Sequence, residues 1–320
     1  MKRKWIRRVS WILLTPVLLF VILMILLYIP PVQNLLRREV TAYASKATGM
    51  QIQVERIDLR FPLNLLVRGV EVIQQPDTLL SLESLNVRVQ AWPLVKGKVE
   101  VDEVTLSQVA FNSANLIEGM KIKGVLGRFF LQSHGVDLSN ELAVINQTEL
   151  SDTHVQMLMN DTTTTPKDTT ASAPVNWKVD LHKLKLKNVS FSMQLPADSM
   201  RMAAHIGEAF INDAQADLKN QFYELKQFLL SGSSANYDTG AAKPGEGFDA
   251  SHIAVRDIRI GLDSLLYKGR DMNAVIREFS MNERSGLSIT SLTGRAFSND
   301  SIIRIPGIKL QTPHSDIDLS

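Results

Sequence analysis

The chain has 320 residues, 45% of them hydrophobic and 21% charged, with a formal net charge of only +2. That leaves ample apolar material for a sizeable folded domain. The basic excess is small and sits largely at the N-terminus, which argues against a nucleic-acid binder. No cysteine is present, which rules out a disulfide framework, a thiolate nucleophile and thiolate metal ligands.

Met1 to Ser10 carries Lys2, Arg3, Lys4, Arg7 and Arg8. Trp11 to Ile29 follows as WILLTPVLLFVILMILLYI, a run without a charge. A helix needs about 20 predominantly apolar residues to cross a bilayer, so this stretch predicts a transmembrane anchor. Trp11 and Tyr28 stand near its ends, where aromatic rings favour the interface, and the basic tail keeps the N-terminus in the cytoplasm. A cleaved signal peptide is disfavoured, because the small-residue box Ala42-Tyr43-Ala44 lies far behind the apolar run. The remainder would then be exported, and a cysteine-free exported domain suits a bacterial periplasm.

Pro30 to Gly49 opens with prolines, closes on glycine and predicts a short juxtamembrane helix. Val32, Leu35, Leu36, Val40, Tyr43, Ala44 and Ala47 recur at three- and four-residue steps. Such a helix either simply caps the first sheet or lies on the lipid surface.

From Met50 onward the period becomes two, predicting a β-rich domain over Met50 to Ser320. One template recurs, with apolar residues in pairs about a polar doublet: Ile52/Val54/Ile57/Leu59, Leu80/Leu82/Leu85/Val87, Val99/Val101/Val104/Leu106, Val179/Leu181/Leu184/Leu186 and Ile303/Ile305/Ile308/Leu310. Looser copies fall at Tyr223–Leu230, Ile253–Ile260 and Leu287–Leu292. At this apolar content the strict pattern should arise about once by chance, so its recurrence points to a repeat architecture. The doublet reverses the phase of alternation, so a bulge or local turn is expected there to keep the apolar side chains on one face. Antiparallel strands with one apolar and one wet face fit this pattern. Two sheets closed as a dry sandwich and one long sheet curled into a trough both satisfy it.

Asn160 to Pro174 and Ser231 to Ser251 are rich in small and polar residues and predict loops. Gln215 to Leu230 has helical spacing at Leu218, Phe222, Leu225 and Leu229, but its second half matches the strand template, and strand is preferred. The sequons at Asn146, Asn160, Asn188 and Asn299 are taken as accidental.

Recognisable chemistry is sparse. His134, His154, His182, His205, His252 and His314 are scattered, with no metal-binding spacing, and no nucleophile elbow or Walker loop occurs. Gly124-Val-Leu-Gly127 predicts a bulge or a close strand approach rather than a phosphate cradle. Asp102-Glu103 falls in the phase-reversing slot, as on a solvated face. Nothing calls for a cofactor, a metal or an enzymatic role.

Met1 to about Phe111 resembles the start of the AsmA-like superfamily, particularly its TamB (translocation and assembly module) branch. The resemblance is carried in order by the basic tail and anchor, then Ala47-Thr48-Gly49, Ile52-Gln-Val54-Glu-Arg-Ile57 and Leu66-Val-Arg-Gly-Val70-Glu-Val72. It continues through Leu85-Asn-Val87-Arg-Val89 and Trp92-Pro-Leu94-Val-Lys-Gly97-Lys-Val99-Glu-Val101-Asp-Glu-Val104-Thr-Leu106. It implies a mainly β fold: a transmembrane helix, a short amphipathic helix, then an elongated, curled antiparallel trough. It also implies an inner-membrane protein whose trough carries phospholipid acyl chains across the periplasm towards the outer membrane. Members of that family are far longer, and Asp316-Ile-Asp-Leu319-Ser320 reads as an unfinished strand, as in a fragment. The lining is assigned to Ile52, Val54, Val99, Val101, Val104, Leu106, Val179, Leu181, Leu184 and Leu186. The alternative is an assembly module for outer-membrane or secreted proteins, acting by strand addition on a partner such as an outer-membrane β-barrel.

Overall fold

The computed structural model describes residues 29–60, 63–90, 100–137, 141–159, 176–240 and 243–319. Helix α1 spans Pro30–Thr48. Its prolines stand where a missing N–H costs nothing and a fixed φ suits the first turn. It ends at Gly49, left-handed at φ 70, whose N–H returns to the Ser45 carbonyl at 2.9 Å. The expected anchor lies outside the described residues except for Ile29. Among the described residues no helix is long and apolar enough to cross a membrane.

The rest is strand: β1 Gln51–Arg60, β2 Asn64–Gln74, β3 Asp77–Val89, β4 Val101–Asn112, β5 Met120–Asp137, β6 Leu142–Met159, β7 Lys178–Leu195, β8 Met200–Asp217, β9 Phe222–Asp238, β10 His252–Lys268 and β11 Asp271–Glu283. Shorter strands follow: β12 Ser288–Ile289, β13 Ser291–Ser298, β14 Ile303–Arg304, β15 Ile308–Gln311 and β16 Asp316–Leu319. All belong to one open, curled sheet in which β1 to β11 lie side by side in sequence order.

No second layer covers this sheet among the described residues. The only buried hydrophobic side chains there are Leu79, Leu82, Ala143, Leu195 and Ala209, and no large side chain is fully buried. A sandwich would bury two inner faces against each other; this sheet leaves its apolar side chains half-exposed. Of the two architectures that the pattern allows, the curled single sheet is the one adopted.

Several expectations need correction. The sheet is not wholly antiparallel, because β6 and β7 run parallel, with Leu142 beside Lys178 and Leu158 beside Gln194. The stretch between Met159 and Lys178 is long enough for the crossover that parallel strands require. Its predicted loop, Asn160–Pro174, lies outside the described residues. The loop predicted at Ser231–Ser251 begins late, since β9 continues to Asp238. Its residues pair along β8, as Ala235 with Ala204 and Ser234 with His205. Within Gln215–Leu230, a turn at 218–221 separates β8 from β9. The copy at Ile303–Leu310 is two short strands rather than one, split at Pro306, which has no N–H to donate, and Gly307, left-handed at φ 67.

Candidate functional site: the apolar face and its creases

Across the sheet, directly paired residues form rows, and several of the rows are apolar almost throughout. One runs Ile57, Val67, Leu85, Leu106, Phe129, Leu150, Leu186, Ala209, Leu230, Ile260, Phe279, from β1 to β11 without a polar side chain. At about 4.8 Å per strand its ten steps cover about 48 Å. A parallel row two residues along each strand runs from Leu59 through Val87, Val104, Leu131, Leu184, Ile211 and Phe228 to Leu262, interrupted only by Thr148. On the other flank, one row links Val54, Val70, Leu82, Val109 and Leu126, and the next links Ile52, Val72, Leu80 and Phe111. Of the intervening rows, one is polar from Arg56 through Arg68, Ser84 and Ser107 to Arg128, and the next, Asp58, Leu66, Asn86, Thr105 and Phe130, is mixed.

Between the two pairs of apolar rows lies a crease. Gly69, Gln108, Asp152, Asn188, Gly232 and Asp257 fall on it, all with φ between 50 and 59. Asn and Asp tolerate this left-handed conformation better than most side chains, and glycine tolerates it freely. Between β1 and β2 the ladder keeps one register across the crease, with Val54 facing Val70 and Arg56 facing Arg68, whereas at β10 the register shifts beside Asp257 on both sides. The change of hand leaves two consecutive residues exposed, at Glu55-Arg56, Lys187-Asn188, Ser231-Gly232 and Arg256-Asp257. This is the local turn expected from the polar doublet, and it lets the flanking apolar pairs share a face.

The strands β5–β10 are longer and carry a second crease six residues away. It is marked by register shifts beside Ser133 and between Leu262 and Ser264, by the exposed doublet His182-Lys183 and by Asp213 at φ 50. Beyond it comes a further apolar row, Ile145, Leu181, Ala214, Leu225, Leu265 and Ala274. The apolar face is therefore broader over β5–β10 than over β1–β4.

The creases close on themselves. Glycines face left-handed residues where a side chain would collide: a Cβ on Gly127 would stand 2.7 Å from the Asp152 Cβ, and one on Gly207 would stand 2.6 Å from the Gly232 carbonyl oxygen. Gly127 and Gly124 are the predicted close-approach pair; a Cβ on Gly124 would lie 2.7 Å from the His154 carbonyl. Asn188 donates its amide to Asp152 at 2.7 Å across the parallel pair. Two hydroxyls that interrupt an apolar row, Thr153 and Ser233, donate back to the Ser151 and Ser231 carbonyls at 3.2 and 3.1 Å, so neither is left unsatisfied.

In the second crease, the Asp213 carboxylate is held below its ordinary range chiefly by a hydrogen bond from His182 at 3.2 Å and also by Lys226 at 3.6 Å. Asp102 accepts from Gln90 at 2.7 Å and Glu103 pairs with Arg88 at 3.1 Å. Four other histidines bond to single neighbours: His134 to Asn146, His154 to Gln156, His205 to Ser190 and His252 to Asp249. Among the described residues no group of three His, Asp or Glu gathers as a metal site.

Leu106 and Leu186 from the assigned lining share the longest row, Val104 and Leu184 the next, and Ile52 and Val54 begin the two rows across the crease. Leu181 lies beyond the second crease, with Val179 in the row after it, between Ala143 and Ala216. Val101 pairs with Val89 near the end of β4; Val99 lies outside the described residues. Missing from that assignment are the row members on β2, β3, β5, β6 and β8–β11, among them Val67, Leu85, Phe129, Leu150, Ile211 and Ile260. The β8 rows are filled partly by Ala204, Ala209, Ala214 and Ala216, whose small side chains blur the template.

One open, curled sheet with a single continuous apolar face defines a groove-forming β protein. No protein-family model matches the chain, and no curated protein matches its sequence.

Proposed function

We propose that this chain is a non-enzymatic envelope protein, anchored in the inner membrane by Trp11–Ile29, whose curled sheet shields phospholipid acyl chains on their way towards the outer membrane. The observation that carries the reading is the unbroken row from Ile57 to Phe279, with no second layer over it among the described residues. An exposed apolar surface of this extent needs an occupant. Each acyl CH₂ withdrawn from water is worth about 0.8 kcal/mol, and a row of even chemistry lets a chain slide without re-entering water at any strand. The ordered likeness of the first part of the chain to the AsmA-like superfamily supports the same reading.

The test is the lipid content of the purified, detergent-washed full chain. Stoichiometric phospholipid that falls several-fold in Leu106→Glu/Leu150→Glu is the expected result. A lipid-free chain, or retention unchanged by those substitutions, would overturn the reading. Crosslinks from β16, whose side chains are all exposed, to a β-barrel protein would instead favour assembly by strand addition.

A further inference from the structure

Helix α1 packs on the sheet with its polar side. Gln33, Arg37, Thr41 and Ser45 recur every fourth residue and so share one stripe. Gln33 donates to the Leu59 carbonyl at 3.4 Å, Arg37 donates to the Glu55 carbonyl at 2.9 Å, and the Ile52 N–H donates to the Ser45 hydroxyl at 3.1 Å. The reason is what the helix covers. It lies along β1, the edge of the sheet, which presents bare backbone donors and acceptors rather than apolar side chains. Of the two roles open to α1, capping falls to the polar stripe and not to the apolar positions.

Three of the apolar positions are thereby left outside: Leu35 is 59% exposed, Val40 47% and Tyr43 78%. Ordinary amphipathic helices turn such residues to the core. Here they sit beside the exposed charges Arg38, Glu39 and Lys46, directly after the uncharged run that ends at Ile29. We propose that this outer side of α1 lies on the bilayer, with Leu35 and Tyr43 sunk at the headgroup–acyl boundary and Arg38 and Lys46 at anionic headgroups. α1 would then be a gasket, hydrogen-bonded to the sheet edge on one side and pressed on lipid by the other, holding the base of the groove at the membrane surface. The inference rests on the anchor reading, because only a membrane-embedded run before Ile29 brings the bilayer within reach.

The chain has no cysteine, so single nitroxide labels can be placed cleanly. The full chain, reconstituted in phosphatidylethanolamine–phosphatidylglycerol vesicles, is labelled in turn at Leu35→Cys, Tyr43→Cys, Leu19→Cys within the apolar run, and Lys187→Cys on the polar face of the sheet. Collisions with oxygen and with a water-soluble nickel chelate are then compared. Oxygen-to-nickel ratios at positions 35, 43 and 19 several-fold above that at 187 are expected. A high ratio at 19 with 187-like values at 35 and 43 would overturn the gasket while leaving the anchor standing. Water-like values at all four would overturn both. Labels at 35 and 43 shielded from both reagents would mean a protein cover, and would also overturn it.

Discussion

The apolar rows and the creases between them occupy the same strands yet constrain the chain in different ways. A row needs only apolar side chains: Leu, Val, Ile, Phe and Ala alternate freely along the Ile57–Phe279 row, because a half-exposed surface demands hydrophobicity rather than a jigsaw fit. A crease accepts polar and even charged residues but requires a particular backbone, with a left-handed residue opposite one that can bear its approach. Changes in a row should therefore alter what the sheet holds, and changes in a crease should alter whether it folds.

The largest effect is expected at Gly207. A Cβ there meets the Gly232 and Ser231 carbonyls at 2.6 and 2.9 Å, backbone atoms that cannot swing aside. Gly207→Ala should cost about 1–3 kcal/mol, measured by unfolding of the detergent-solubilised chain. Wild-type stability would mean that the crease is not tightly paired. Asn188 offers a finer contrast. Asn188→Val should lose about 1–2 kcal/mol, because a β-branched residue resists φ 53. Asn188→Gly should lose less, since glycine gains in conformation what it gives up in the bond to Asp152. Equal losses would show that only the hydrogen bond matters.

Leu106→Glu in the longest row should change stability by less than about 1 kcal/mol, because that side chain is already partly in water. It should nevertheless weaken retention of lipid; a large stability loss with lipid unchanged would reverse the assignment of rows and creases.

The smallest effect concerns the corner where the loop after β9 meets β10. The Asp249 carboxylate is held below its ordinary range first by the Gly245 N–H, then by the Ser251 N–H and by His252 at 2.9 Å. A depressed folded-state pKa contributes stability above the ordinary carboxylate range, and that stability is lost as pH falls through the folded value. Hydrogen exchange at the Ser251 and His252 amides, corrected for intrinsic rates, should accelerate in acid, and Asp249→Asn should be fast already at neutral pH. A pH-independent corner would contradict this.

The strands and their apolar phase were legible because each row member repeats at a fixed offset from a polar doublet, and Glu55-Arg56 and His182-Lys183 mark the creases in plain sequence. Which strands align was not legible: the rows depend on register, which Ala-rich β8 conceals. The parallel β6–β7 pair left no local trace, since either direction gives the same alternation. The inverted α1 was hidden for a different reason. Periodicity reveals that a helix has two sides but not that its neighbour is a bare strand edge, which selects the polar one.

Phe129 and Phe130 test the central claim most directly. They are adjacent and identical in type, but Phe129 belongs to the Ile57–Phe279 row. Phe130 faces the other way, in the row of Asp58 and Thr105, with the Arg128 guanidinium 5.8 Å from its ring centre. With the photo-crosslinking residue p-benzoylphenylalanine in place of each in living cells, phospholipid adducts should form from position 129 and not from 130. Adducts from both alike, or from 130 alone, would contradict an acyl-chain surface confined to the apolar face.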